Sequence, residues 1–523
     1  ISFLQGKNPS LAVKIELGGY LPKAARFAQI QKSIYAFDTM TRQDKAKHLA
    51  TLYLDDLCDF IAECADENFG FSRYAEKLGR CANSFDKLYR KLRGRLSYLD
   101  ELTLTILDEK IKKCKPSLIG FSVPFPGNLY SSFRCAGYIK KMYPGIKTIM
   151  GGGFPSTELR GIQDKRVFGF FDYIVLDSGE LPLELIAGNS KDLKRTFELK
   201  NNVVHYNNRS KRNDYPQQET GTPDYKGMPL KKYISAIEIA NPMHSLWSNG
   251  RWNKLKMAQG CYWHKCSFCD TTLDYIKNYE PLEAALLANR MEELIRTTGE
   301  SSFHFVDEAA PPAIMKKLAE EIIRRKLNVR WWTNIRFEKS FTPELCSLLK
   351  KSGCVAVSGG LETAHDRLLK LINKGVSVEQ AARTAANFTE AGIMVHAYLM
   401  YGFPSQTVQE TIDSLEVVRQ MFEIGIIRSA YWHRFALTAH STVFKNAAAY
   451  GIKPLNRKIT FAHNDVFFTD KTGIDHSRFG PGLQWAVFNY MHGICFDQPL
   501  SDWFPFRVPK TKVKIEFIVS CLK

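Results

Sequence analysis

No stretch of the 523 residues approaches the roughly 18 consecutive apolar positions of a membrane-spanning helix. The opening residues ISFLQGKNPS also lack the basic-then-apolar layout of a secretory leader. These two absences predict a soluble, cytoplasmic protein. Cysteine is sparse: 12 in 523 residues is far below the density of a disulfide scaffold, so reduced thiols are expected. Low-complexity tracts and solenoid-type repeats are missing as well. What is there, 45% hydrophobic and 24% charged residues, is the balance of a globular chain rather than a disordered or fibrous one. At roughly 100–200 residues per domain, the length predicts two or three domains.

Lysine and arginine exceed aspartate and glutamate by 18, at 72 against 54. Such an excess suits nucleic acid, an anionic membrane surface or an anionic substrate. The basic residues are nevertheless spread along the chain, as on a solvated surface, so nucleic acid is not the expected partner.

From about residue 41 to 113, apolar positions recur near the helical period, among them Leu49, Leu52, Leu57 and Ile61, then Leu88, Leu92 and Leu96. A second rhythm begins at Pro116. Strand-like SLIGFSVPF, helix-like SSFRCAGYIKKMY, and strand-like IKTIMGGG and FDYIVLDSG follow one another. Alternation of this kind predicts a parallel sheet with a crevice at the strand carboxyl ends. Residues 189–235 are polar with little aliphatic periodicity and read as a linker. The alternation then resumes through KLKMAQG, SSFHFVDE, VRWWTNIR, CVAVSGG, IMVHAYLMYG and IRSAYWHRFAL, with helical segments between. Six such units predict a βα barrel, whole or partial, with its site at the carboxyl ends of the strands. The expected division is 1–200 for a helical region plus a Rossmann-like domain, 201–240 for the linker, 241–440 for the barrel and 441–523 for an extension capping it. The aromatics of that extension, including Phe461, Phe467, Phe468, Trp485, Phe488, Tyr490, Trp503, Phe504 and Phe506, read as core.

The strongest chemical signal is GCYWHKCSFCD, which places Cys261, Cys266 and Cys269 within nine residues after the first barrel strand. Three thiolates cannot close a tetrahedral zinc site without a fourth ligand, which His264 can supply on paper. Alternatively, three cysteines can hold three irons of a [4Fe–4S] cluster and leave the fourth iron open to a substrate or cofactor. The spacing by itself leaves both open. Cys58, Cys64, Cys81, Cys114, Cys135, Cys346, Cys354, Cys495 and Cys521 are scattered and read as small buried hydrophobes.

With these residues in hand, the chain resembles the radical S-adenosylmethionine superfamily over roughly residues 250–440. The resemblance implies that Cys261, Cys266 and Cys269 ligate a [4Fe–4S] cluster, with Phe268 as the aromatic residue before the last of them. The first spacing is four residues rather than the usual three, a variant similar to that of members carrying a cobalamin-binding domain. Asp307 and Glu308, at the end of SSFHFVDEA, stand where the family receives the ammonium group of S-adenosylmethionine; as residues alone they can equally be a helix cap pair. Gly359, Gly360 and Glu362 resemble the family's fourth-strand region, with Glu362 available to the ribose or amino group. Arg336 is placed to meet the cofactor carboxylate or to form a surface salt bridge. Gly402 and Pro404, in LMYGFPSQT, resemble the loop near the adenine. His396, Tyr398 and Tyr401 sit on a strand that can line the substrate pocket.

Residues 110–190 resemble the cobalamin-binding domain fused to many of these enzymes. The matching pieces are IGFSVPFPGN, IMGGGFPST and DYIVLDSGELPLELI, with Ser122, Gly152, Gly153, Ser156 and Thr157 as the groups expected along the corrin edge. The histidine-ligating DxHxxG motif is absent, so bound cobalamin would not take its lower ligand from it. Together the resemblances imply an α/β protein with a Rossmann-like cobalamin-binding domain, a partial (β/α)6 TIM-type radical barrel and a C-terminal extension. They imply cleavage of S-adenosylmethionine to a 5′-deoxyadenosyl radical and cobalamin-dependent methylation of an unactivated carbon, with ring formation, rearrangement or tRNA modification as other radical outcomes. A non-catalytic cobalamin or zinc protein is the alternative from another class. The expected partners are a small-molecule or peptide substrate and an external electron donor such as flavodoxin or ferredoxin.

Overall fold

Apolar runs bounded by turn residues pair into two parallel sheets in the computed structural model, which describes residues 1–28, 40–71, 73–80, 82–248, 251–455 and 458–523. Cys81 lies outside the described residues. The helical stretch upstream is built from Arg42–Cys64, Asp86–Arg93 and Tyr98–Cys114. Ser97 and Asp100 close a capping box at the start of the last of these, and Asp100, buried, also accepts from Tyr130 Oη at 2.8 Å.

The first sheet runs in chain order: β1 (Leu118–Ser122), β2 (Lys147–Gly151) and β3 (Tyr173–Val175) are parallel, and β4 (Thr196–Lys200) and β5 (Val203–Asn207) continue it antiparallel. Strand β5 falls inside the segment expected to be linker. Its hairpin turns at Asn201 and Asn202, both with positive φ (48° and 62°), the backbone of a two-residue turn that asparagine tolerates. The alternation of TFELK and VVHYN around Asn-Asn was the available signal, masked by the polar face that an edge hairpin turns to water.

The second sheet is six-stranded and wholly parallel, in the order β6 (Asn253–Leu255), β9 (Ser302–Phe305), β10 (Arg330–Ile335), β11 (Cys354–Glu362), β12 (Met394–Tyr401) and β13 (Ser429–Arg434). Short strands β7 (Ala258–Gln259) and β8 (Glu280–Pro281) pair between β6 and the next helix and pinch the cysteine-bearing segment into a closed loop. Helices Ala284–Thr298, Pro312–Arg324, Pro343–Lys351, Val378–Glu390 and Val408–Glu423 follow in turn, and their apolar faces meet the outer face of the strands in one core that includes Phe303, Phe305, Trp331, Phe341 and Trp432. This is the partial barrel the strand count predicts.

Residues 441–523 pack along the end of the barrel's sheet and also reach its mouth, where His476 lies against Gly402. Helix Gly480–Met491 packs along β13 at the end of the six-stranded sheet, and Phe479, Tyr490, Trp503 and Phe504 join the barrel's own core. Two small antiparallel pairs precede that helix: β14 (Leu437–Thr438) with β16 (Asp465–Val466), and β15 (Ile452–Pro454) with β17 (Phe468–Asp470). Between them the chain crosses to the first domain, where Phe461 is fully buried among Phe85, Phe133 and Phe170.

At this crossing the Glu158 carboxyl, whose backbone oxygen accepts from His463 N at 2.8 Å, is pushed up to about 7 by burial and by the neighbouring Asp465. A carboxyl raised in the folded state contributes stability that is full below the ordinary carboxylate range and is lost as pH rises through about 7. Glu158→Gln should therefore match the wild type in thermal unfolding near pH 4.5 and unfold at a higher temperature at pH 8; equal midpoints at pH 8 would contradict the burial argument.

Candidate functional site

The loop from Gly260 to Tyr279 is held by its backbone before any ligand is considered. Gly260 has φ of 71°, and a Cβ there would lie 2.4 Å from Asn278 O, so glycine is required for the loop to close. Cys261 N donates to Ile276 O at 2.9 Å, Ser267 N to Ile372 O at 2.8 Å and Val443 N to Ser267 O at 3.0 Å. The Trp263 indole lies flat on Gly375 and donates to Asn373 O at 2.9 Å. The loop is thus clamped by the turn at residues 371–375, a contact no local motif announces.

Cys261, Cys266 and Cys269 line one cavity of about 280 Å³ together with His264, Phe268, Glu308, Asn334, Arg336, Ser358, Gly360, Glu362, Lys374 and Tyr398. The cavity sits at the carboxyl ends of β10, β11 and β12, as barrel geometry predicts. Cys266 is 6% exposed, and Arg336 Nη1 approaches its sulfur at 3.8 Å. The Cys266 thiol is drawn down to about 6, first by the hydrogen bond from Cys269 and then, against burial, by the charges of Lys374 and Arg336. Cys269, which keeps the shared proton, is raised. A lowered thiol pKa favours the thiolate, the form in which cysteine binds metal. Among the described residues no three His, Cys, Asp or Glu side chains gather at one point as a single ion would require. In a cuboidal cluster each thiolate takes its own iron, so three thiolates need not meet at one point.

Arg336 is buried, not a surface residue. Its Nε donates to Glu338 at 2.8 Å, its Nη2 to Lys374 O at 2.5 Å, and its guanidinium stacks over Trp263 at 4.4 Å. Most of its donors are therefore engaged on the loop and the turn, where the sequence reading gave it a cofactor carboxylate. The acidic pair is split in the same way. Asp307 turns inward and accepts from Met257 N and Ala258 N at 2.8–3.0 Å, with burial raising its pKa to about 6. Only Glu308 reaches the cavity, and burial raises it too. Neither acid caps the following helix, whose N-cap is Pro311.

Glu362, with φ of 60° at a bulge of β11, pairs with Lys374 at 2.7 Å directly over Gly360. A Cβ on Gly360 would lie 2.2 Å from Glu362 Oε1 and 2.7 Å from Lys374 Nζ, so the pair depends on that glycine. Lys374, Asn334 and Ser358 escaped the sequence reading. Lys374 lies beyond a helix that the chain traverses after β11, and only its place beside Gly375, with φ of 75°, marked a special turn. On β12, His396 and Tyr398 share a face by the period of two, and Tyr401 points the other way, against Gly480. Tyr398 lines the cavity, while His396 is spent on Ser429 Oγ at 2.9 Å. Gly402, with φ of 78°, packs on His476 and is not part of the lining.

In the first domain, Gly152 (φ of 105°) and Gly153 close on Val123 and Pro124, where a Cβ would meet backbone at 2.8–2.9 Å. Ser156 donates to Gly152 O and accepts from Asp177 N, and Thr157 donates to Gly153 O. These four residues shape the turn through internal contacts. Ser122 and Phe125, the latter 69% exposed, are open at the end of β1.

Residues 255–418 match the radical SAM superfamily. The chain is 23% identical over 336 residues to an uncharacterised methyltransferase of Pyrococcus horikoshii, covering 62% of this chain and 68% of that protein. It is 26% identical over 324 residues to the anaerobic magnesium-protoporphyrin IX monomethyl ester cyclase of Rubrivivax gelatinosus, covering 60% of this chain and 55% of that one. In fold it is similar to the radical S-adenosylmethionine methyltransferase TsrM of Kitasatospora setae, with a TM-score of 0.57 at 17% identity over 73% of this chain and 80% of that one.

Removing the ammonium of Lys374 leaves Glu362 buried without its partner, which typically costs about 3–5 kcal/mol. Lys374→Met should lower the urea midpoint of the metal-free protein accordingly, and adding Glu362→Gln should recover most of the loss. A double variant no more stable than the single one would mean that the pair does not act as a unit.

Proposed function

As a radical S-adenosylmethionine enzyme with its superfamily domain at residues 255–418, the chain, we propose, is a cobalamin-dependent methyltransferase acting on an unactivated carbon. The observation that carries this reading is the gathering of Cys261, Cys266 and Cys269 in one cavity with Glu308, Glu362 and the buried cations Arg336 and Lys374. Bound there, a [4Fe–4S] cluster supplies the electron that splits the sulfonium, and cobalamin on the upstream domain supplies the methyl group.

The chain's own groups have distinct tasks in this proposal. The three thiolates hold three irons, and Arg336 and Lys374 offset their charge from inside the barrel. Glu308, which burial disfavours as an anion, gains from an ammonium group placed against it. The β-strand walls exclude water from the radical. Ser122, Phe125 and the Gly152–Gly153 turn would hold the corrin. TsrM, the neighbour in fold, has been solved with cobalamin and a [4Fe–4S] cluster bound, which supports the same pair here. Among the described residues every cysteine is free, which suits a reducing, cytoplasmic setting. A flavodoxin or ferredoxin would serve as reductant, and the substrate would be a small molecule or peptide. The relative from Rubrivivax favours a second reading, ring closure, since it is named a cyclase.

Anaerobically reconstituted protein should hold about four irons per chain with matching sulfide, and Cys266→Ala should lose them; a single zinc and no iron would overturn the proposal. With S-adenosylmethionine, a strong reductant and methylcobalamin, the products should include both 5′-deoxyadenosine and S-adenosylhomocysteine. The former alone would favour ring closure or rearrangement over methylation.

A further inference from the structure

One segment crosses between the domains away from the molecule's other cavities. Strand β16 and the residues before it lie far in sequence from both cofactor loops, yet they touch each. His440 Nε2 donates to Thr157 O at 2.9 Å, on the turn of the upstream domain, and the carbonyl of the same residue accepts from Thr272 Oγ1 at 3.2 Å, three residues beyond Cys269. Thr438 Oγ1 donates to Asp270 Oδ1 at 2.5 Å, immediately after Cys269. On the other arm, His463 N donates to Glu158 O at 2.8 Å. Pairing of β14 with β16, extended by Ala439 N to Asn464 O at 2.8 Å, ties the two arms together.

The crossing is anchored deeply in the upstream domain. Thr460 O accepts from Gln163 N and Asp164 N at 3.0 and 3.1 Å, Thr460 N donates to Asn83 O at 2.9 Å, and Ala462 N to Ala82 O at 3.0 Å. Phe461 is fully buried, with its ring 4.9 Å from that of Phe85. The anchor is thus made by short backbone hydrogen bonds and one buried ring, while the contacts of His440, Thr438 and His463 fall on the two loops.

We infer that this strap, residues 438–455 and 458–465, sets the position of the Gly152–Glu158 turn relative to the cysteine loop, and that His440 is the positioning residue that joins the two. The inference rests on the proposed function, in which the turn holds cobalamin and the loop holds the cluster and S-adenosylmethionine. Passage of a methyl group between them would break the sulfonium carbon–sulfur bond, release S-adenosylhomocysteine and form a carbon–cobalt bond with the electron pair of cobalamin reduced to the cob(I) level by the external electron donor, a transfer that demands alignment within about 1 Å. Cleavage of S-adenosylmethionine at the cluster happens within the barrel alone and makes no such demand on the strap.

The test uses holoenzyme loaded with cluster and cob(II)alamin, and reads the magnetic dipolar coupling between the two by pulsed electron paramagnetic resonance. The wild type should give one narrow distance distribution, His440→Ala a broad one, and His440→Gln, whose amide can still donate to Thr157 O, a narrow one again. Given S-adenosylmethionine and reductant, His440→Ala should form S-adenosylhomocysteine about 10²-fold more slowly while 5′-deoxyadenosine formation stays within about twofold, because misplacement of about 1 Å penalises only the inter-domain step. An unchanged distribution, or an equal fall in both products, overturns the inference. Phe461→Leu, which loosens the anchor without touching either loop, should broaden the distribution in the same way, and it decides the matter if His440→Ala does not fold. Wild-type protein that takes up no iron or no cobalamin would instead refute the proposed function, a separate result.

Discussion

The site is organised by a guanidinium buried at the mouth of the barrel. Arg336 rises from the end of β10 and spends its donors on the Cys266 sulfur, the Lys374 carbonyl and Glu338, with its plane against Trp263. A charge taken out of water is tolerable only when nearly every donor is satisfied, so the loop, the turn and the strand end must all be in register for Arg336 to be buried at all. The hydrogen bond from Cys269, with the charges of Lys374 and Arg336, depresses the Cys266 thiol, and Lys374 stands as a second cation over Gly360. Geometry and electrostatics of the cysteine loop are therefore one constraint.

Below that mouth the histidines are neutral. Burial drives His396 down to about 3, and burial with the charge of Lys254 at 2.9 Å does the same to His304, whose ring stacks on Trp332 at 3.6 Å. The cysteine cavity, with its buried cations and Glu308 and Glu362, lies instead at the carboxyl ends of the strands.

The two domains meet through the polar linker, where Asp214 pairs with Arg195 and Gln217 N donates to Glu280, and also through the chain that returns from β14 to β16. Phe461 contributes to the upstream core, and His440 and His463 reach the Gly152–Glu158 turn.

Much of this was legible in the residues themselves. Alternation of β-branched runs with helical periods announced both sheets, because the strands of a parallel sheet are buried on both faces and read as apolar runs. The spacing of Cys261, Cys266 and Cys269 announced the loop, since ligand spacing is a local property. The β4–β5 hairpin did not stand out, because an edge pair shows water half its side chains. Other features belonged to tertiary structure alone. Asp307 and Glu308 are adjacent in sequence yet divided between backbone support and the cavity, because successive side chains at a strand end face opposite ways. Lys374 and Arg336 became partners of Cys266 only through the docking of the turn at residues 371–375 on the loop. Periodicity and spacing record what neighbours along the chain must do; which buried charges and which returning strands complete a site is settled by packing between segments tens to hundreds of residues apart, whose pairing leaves no local trace.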